Sequence, residues 1–168
     1  GSAGGYTLHL PLEERKLQSK KEFLDDIAMS LGGYVAEELI FGDVTTGPAN
    51  DLQVLTALAR NMVTRYGMSD KMGPVALEGD NGRTMFGEGL RGKEHSEKIS
   101  AEIDSEVTHI IDHAHRSADH ILKTHRKALD SIAKKLVEVE NIERGEFEKI
   151  LLLNGITPKK KEDIEHSE

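Results

Sequence analysis

Apolar residues recur every three or four positions from residue 19 to residue 42: Phe23, Ile27, Leu31, Val35 and Leu39, flanked by Leu24, Ala28 and Ala36. That spacing lays one apolar stripe along a helix. Ser19 with Glu22 three residues on is the capping-box signature that starts it, and Gly42 is the expected stop near Phe41. Gly32-Gly33 falls inside the stripe, where each glycine costs about 1 kcal/mol relative to Ala, so the pair predicts close approach of another backbone. A second stripe, Leu52, Leu55, Ala59, Met62, Val63 and Tyr66, runs between Asn50, a favoured N-cap type, and Gly67. A long third helix is predicted from Ser96 to about His125, with Ile99, Ile103, Val107, Ile110, Ala114, Ala118 and Ile121 inward. Leu129, Ile132, Leu136 and Val139 mark a fourth, and Phe147, Ile150 and Leu151 a short fifth ending at Asn154-Gly155. These last three predict an antiparallel C-terminal bundle.

Two stretches break the helical period. Residues 4–10 alternate, with Tyr6, Leu8 and Leu10 on one side and Thr7 and His9 on the other, and Pro11 ends the run. This is one strand with no partner in view, an edge able to pair with an extended peptide. Residues 75–95 hold a short apolar piece, a glycine-rich turn and Thr84-Met85-Phe86, which predicts a small irregular β-hairpin and a loop. The end, residues 156–168, is charged and poor in apolar residues, and is expected to be disordered.

The fold class that follows is mainly α: two helices around the loop at residues 45–51, a small irregular β-hairpin and a C-terminal helical bundle. At 168 residues the chain fits one domain over residues 1–155, divided at 3–74, 75–95 and 96–155. Aromatic residues are only 4% of the chain, so the core is aliphatic, which suits helices packed on helices. The formal net charge of −8 argues against a nucleic-acid surface. With no cysteine, any zinc must be held by His and carboxylate ligands. There is no apolar run long enough to span a bilayer and no signal peptide, so the chain is expected to be soluble. Gly1-Ser2 reads either as a scar of tag removal or as native sequence.

Chemistry concentrates at Thr45-Thr46-Gly47-Pro48-Ala49-Asn50-Asp51-Leu52, where a loop rich in Gly and Pro meets a helix. Asp51 falls in the first turn, where free N–H groups and the positive end of the dipole favour a carboxylate. An immobile carboxylate is a good metal ligand; the alternative is an acid that merely complements the dipole. A second candidate is His109-Ile110-Ile111-Asp112-His113, whose i,i+4 histidines share a helix face. The residue after the first His is Ile110 and no general base stands beside the pair, so His109 and His113 read as a decoy metal site on a solvated face. Such histidines titrate near pH 6.5 and make the helix a candidate for pH sensitivity.

Ala3-Gly4-Gly5-Tyr6-Thr7, Leu31-Gly32-Gly33 with Ala36-Glu37-Glu38-Leu39-Ile40-Phe41-Gly42, Thr45-Thr46-Gly47 with Asn50-Asp51-Leu52, Ala59-Arg60-Asn61-Met62-Val63 and Tyr66-Gly67-Met68-Ser69 together closely resemble the FtsH family. These are membrane-anchored, ATP-dependent zinc metalloproteases of the AAA+ class. The resemblance is strong from Ala3 to about Pro74 and continues as helical pattern to about Gly155. It implies zinc held by two His of a His-Glu-x-x-His helix and by the Asp matching Asp51, with the intervening Glu polarising water for attack on a peptide carbonyl. That helix is not in this sequence. In the family it lies N-terminal to the part resembling residues 4–10, so the chain is expected to begin after it and to be inactive alone. Glu37 and Glu38 match the family's acidic pair near the metal and are candidate outer carboxylates, against a plain reading as helix-surface acids. Tyr34 departs from the family's usual Arg. Gly5, Tyr6, Thr7, Leu8 and His9 resemble the family strand on which an unfolded substrate adds.

The resemblance further implies unfolded or membrane protein substrates, a homo-hexamer, and ATP and magnesium in an ATPase module absent here. It also implies membrane attachment through segments not in this chain, with the peptidase domain on the cytoplasmic, matrix or stromal side. Two rival functions stand beside it: a non-catalytic helical oligomerisation module, and a zinc-binding module built on the histidine helix.

Overall fold

The computed structural model describes residues 17–77 and 93–158, with side chains from residue 97 onward in the second stretch. Most of these residues are helical, in α1 (Lys20–Ser30), α2 (Gly32–Phe41), α3 (Ala49–Thr64), α4 (Lys93–Thr124), α5 (Arg126–Val139) and α6 (Arg144–Leu153). Among the described residues there is no strand, only an isolated antiparallel bridge between Ser69 and Gly73. The mainly α fold is therefore as the hydrophobic pattern predicts. The strand of residues 4–10 and the tail beyond residue 158 lie outside the described residues. So does most of the hairpin, and residues 75–77 belong to no strand.

The described chain divides into two compact units, Arg15–His120 and the residues from 121 onward. In the first, α1 packs on α3 and on α2, and Phe23, Ile27, Leu31, Val35, Leu55, Ala59, Met62 and Val63 are buried. The Phe23 and Tyr66 rings stack at 5.5 Å with 5° between planes, but Tyr66, read as part of the buried stripe, lies past the end of α3 and is 51% exposed. On α4 Ile103, Val107, Ile110, Ala114 and Ala118 of the predicted stripe are buried, whereas at its ends Ile99 is only half-buried and Ile121, read as inward, is 51% exposed. In the second unit α5 packs on α6, with Lys135 paired to Glu146 at 3.0 Å, and only Ala128 is fully covered. Leu136, Val139 and Phe147, read as inward positions, are each about 40% exposed.

Caps place these helices, and they correct the sequence reading in three places. At α1 the capping box forms as predicted: the Glu22 N–H donates to Ser19 Oγ at 3.2 Å and the Ser19 N–H to Glu22 Oε2 at 2.6 Å. The single helix expected to run to Phe41 is instead two, interrupted at Leu31. The low helix propensity of Gly32-Gly33 weakens the ladder at that point. Neither glycine admits a close neighbour, since a Cβ there would meet no described atom within 4 Å. Finally, α3 is capped by Pro48 rather than Asn50 and starts two residues early, because the proline ring presets φ at −75° at no cost in hydrogen bonds. It ends at Thr64, ahead of the expected Gly67.

Gly67 makes the reversal after α3, with φ at +61°. A Cβ here would sit 2.9 Å from Pro74 Cα and 3.1 Å from its carbonyl carbon, both backbone atoms that cannot swing aside. Glu140 occupies the same left-handed region at φ 62° after α5, where a side chain is strained. Two opposite outcomes are expected in urea unfolding. Gly67→Ala lowers stability by about 1–3 kcal/mol, whereas Glu140→Gly raises it by up to about 1 kcal/mol.

Candidate functional site

The loop between α2 and α3 is tied to α2 by one carboxylate. Gly42, in the left-handed region at φ 64°, ends α2 and turns the chain so that residues 45–47 pass the side chain of Glu37. The Thr45 N–H donates to Glu37 Oε2 at 2.7 Å and the Thr45 hydroxyl to Glu37 Oε1 at 3.1 Å. That hydroxyl in turn accepts the Gly47 N–H at 3.1 Å. The Ala49 N–H then bonds Thr46 O at 3.2 Å, and Pro48 O accepts the first helical bond from Leu52 at 3.0 Å. Three residues of loop are thus fixed from α2, and α3 starts directly from them.

Asp51 is the third residue of α3 and lies in its first turn, as the sequence predicts. It is exposed, and its carboxylate makes no hydrogen bond or ion pair with a described residue. A carboxylate so placed has its oxygens free for a cation. Glu38, beside Glu37, points elsewhere: its Oε2 lies 3.0 Å from His115 Nε2 on α4, and Tyr34 meets the same imidazole edge-on at 6.1 Å. The two acids therefore have different work, Glu37 on the loop and Glu38 on α4. Tyr34 supplies a ring contact to His115 at the position where the resembling family has Arg.

Zinc chemistry needs three protein donors around one point. Among the described residues no three His, Asp or Glu side chains are grouped to hold a metal. A metal held by Asp51 would need its other donors from outside the described residues. His109 and His113 are exposed on one face of α4 and line an open cleft with Lys20, Ser69, Asp70 and Glu106. The pair finds no third donor among the described residues. Gly5, Tyr6, Thr7, Leu8 and His9, the candidate substrate strand, lie outside those residues.

Two features of this region are not visible in the sequence. Thr45 reads there only as part of a loop motif, and nothing in spacing announces its hydrogen bonds to an acid eight residues back across a helix stop. In the cleft, the Ser69 hydroxyl donates to buried Glu106 at 2.5 Å and accepts the Met72 N–H at 3.0 Å, so a buried acid is partnered. At its rim Lys20 Nζ approaches Asp70 Oδ1 at 2.7 Å. The hydrogen bond from Lys20, with its charge, holds the Asp70 carboxyl below the usual carboxylate range. A carboxyl lowered in the folded state adds stability above its unfolded pKa and loses it as pH falls through the folded value. NMR titration should therefore find Asp70 moving up toward the ordinary range in Lys20→Met and in high salt, with the acid-side difference vanishing once both states are protonated.

Residues 1–150 match the model of peptidase family M41. The ATP-dependent zinc metalloprotease FtsH 1 of Thermoanaerobacter sp. (strain X514) is 42% identical over 166 residues, 98% of this chain and 26% of that protein. The ATP-dependent zinc metalloprotease FtsH of Thermotoga maritima is 43% identical over 148 residues, covering 88% of this chain and 24% of the relative. That of Syntrophobacter fumaroxidans is 45% identical over 148 residues, 87% of this chain and 23% of its own. The chain spans about a quarter of the length of these curated relatives.

Proposed function

The chain belongs to peptidase family M41, and from that premise we propose that it forms the C-terminal part of the peptidase domain of an ATP-dependent zinc endopeptidase acting on unfolded or membrane proteins. The observation that carries the assignment of a role is the state of Asp51: an exposed carboxylate on the first turn of a braced helix, engaged by no described side chain. Asp51 would supply one oxygen ligand, and the intact protein would supply the two His and the catalytic Glu that this sequence lacks. When bound, zinc supplies Lewis acidity for hydrolysis of a peptide bond. The work of this chain's own residues is to hold Asp51 in place, with Glu37 anchoring the loop and Glu38 joined to α4 through His115.

The intact protein would assemble as a homo-hexamer, use ATP and magnesium in a separate ATPase module, and be anchored in a membrane with its peptidase domain on the cytoplasmic, matrix or stromal side. Among the described residues no helix is long and apolar enough to cross a membrane. Residues 3–74, 75–95 and 96–155 remain the proposed parts of the domain, with 156–168 as a charged tail. The histidine helix is the less favoured zinc site because Ile110 follows His109 and no general base stands beside the pair.

Zinc titration of the purified chain tests this directly. The chain, its Asp51→Ala variant and the double His109→Ala, His113→Ala variant are all expected to retain little zinc. Tight, stoichiometric zinc that survives Asp51→Ala and disappears in the double histidine variant would replace Asp51 by the α4 pair as the metal site.

A further inference from the structure

The hydrogen bonds ahead of α3 converge on one side chain that neither the family match nor the sequence motif singles out. The amide and hydroxyl of Thr45 are fully engaged: both donate to the two oxygens of Glu37, and the hydroxyl oxygen accepts the Gly47 N–H. Each bond alone is modest, worth about 0.5–1.5 kcal/mol net, rather more to a charged acceptor. Together they fix two loop residues on either side of Thr46 against a carboxylate rooted in α2. The path from there to Asp51 is short and stiff, through Pro48 and the first turn of α3. Helix α3 itself is held by its buried face, so its start is the part that the loop must define.

We propose that Thr45 is a positioning residue for the metal ligand: its hydroxyl bridges Glu37 and Gly47, and that bridge sets where the first turn of α3 carries Asp51. The inference rests on the reading of Asp51 as a zinc ligand. Geometry on the far side of the bridge agrees with it. A Cβ at Gly47 would lie 3.2 Å from Thr45 Oγ1 and 3.4 Å from Glu37 Oε1, so this glycine leaves room for the two oxygens to meet. A side chain there presses on the same bridge from outside, which gives a second, independent way to disturb it. Groups that orient metal ligands in this indirect manner commonly govern affinity by about 10- to 100-fold.

The test measures zinc affinity by competition with a chelator in the full-length protein carrying Thr45→Val, Thr45→Ser, Gly47→Ala or Asp51→Ala, with melting temperature of the zinc-free protein and amide exchange at Gly47 read alongside. Thr45→Val keeps the side-chain shape and removes the hydroxyl. It should weaken zinc about tenfold and speed exchange at Gly47, with a melting temperature lowered by no more than a few degrees, because the residue is exposed. Thr45→Ser should restore both, Gly47→Ala should weaken zinc in the same sense, and Asp51→Ala should weaken it far more than either. Wild-type affinity in Thr45→Val and Gly47→Ala, with zinc lost in Asp51→Ala, overturns the positioning role and leaves the ligand reading standing. Wild-type affinity in Asp51→Ala overturns the ligand reading and the positioning role with it. A loss in Thr45→Val that Thr45→Ser fails to restore assigns the effect to the methyl group and overturns the bridge.

Discussion

Burial of the α1 face against α3 is the constraint on which the first unit depends. Phe23 and Ile27 from one helix, and Leu55, Ala59, Met62 and Val63 from the other, are removed from water. At about 25 cal/mol per Å² of apolar surface, burial on this scale outweighs any polar contact in the unit. With α1 and α3 fixed, α2 follows α1 through the one-residue interruption at Leu31, itself buried. The loop from Gly42 to Pro48 then spans two elements that cannot move apart. Its hydrogen bonds select one path between them, and Asp51 inherits that path. Apolar packing thus decides where the carboxylate is, and polar bonding decides which way it is carried.

The two acids of the Ala-Glu-Glu motif show how little separates a structural from a functional reading of surface charge. Both lie on the same turn of α2 and both are partly exposed. Glu37 meets a backbone N–H and a hydroxyl, partners that are always present and never titrate near neutrality. Glu38 meets the His115 imidazole at 3.0 Å, a side chain carried by another helix, α4. Exposed contacts of this kind contribute about 0–1 kcal/mol, so Glu38 makes a weak link to α4 while Glu37 braces the loop at its backbone. The motif treats the two acids alike; their partners distinguish the two roles.

The helices were legible because their stripes are long and regular. Ile103, Val107, Ile110, Ala114 and Ala118 recur at the helical period and are buried where the period puts them, although Ile121, on the same stripe, is 51% exposed. Boundaries were less legible. Asn50 has the right chemistry for a cap, yet Pro48 takes the position because a preset φ costs nothing at a helix start. Gly32-Gly33 was read as a contact and is a weak point in the ladder, a difference that depends on what stands opposite and not on local sequence. The α5 and α6 faces have the right spacing, but burial requires a partner surface, and Leu136, Val139 and Phe147 keep much of theirs exposed. The place of Asp51 in the first turn of α3 was legible, whereas the Thr45 bridge joins residues eight apart across a left-handed turn and has no periodic signature.

Gly67 bears on how variation along this chain is to be interpreted. It is barred to L side chains twice over, by a positive φ and by the Pro74 backbone against it. Its neighbours include Tyr66, packed on Phe23, and Met68 at the edge of the cleft, so a survey of substitutions would find it intolerant amid residues of evident use. That intolerance would come entirely from the turn. Tolerance to exchange therefore ranks positions here by backbone geometry before it ranks them by chemistry, and the most immutable residue of the region need not lie within reach of any substrate.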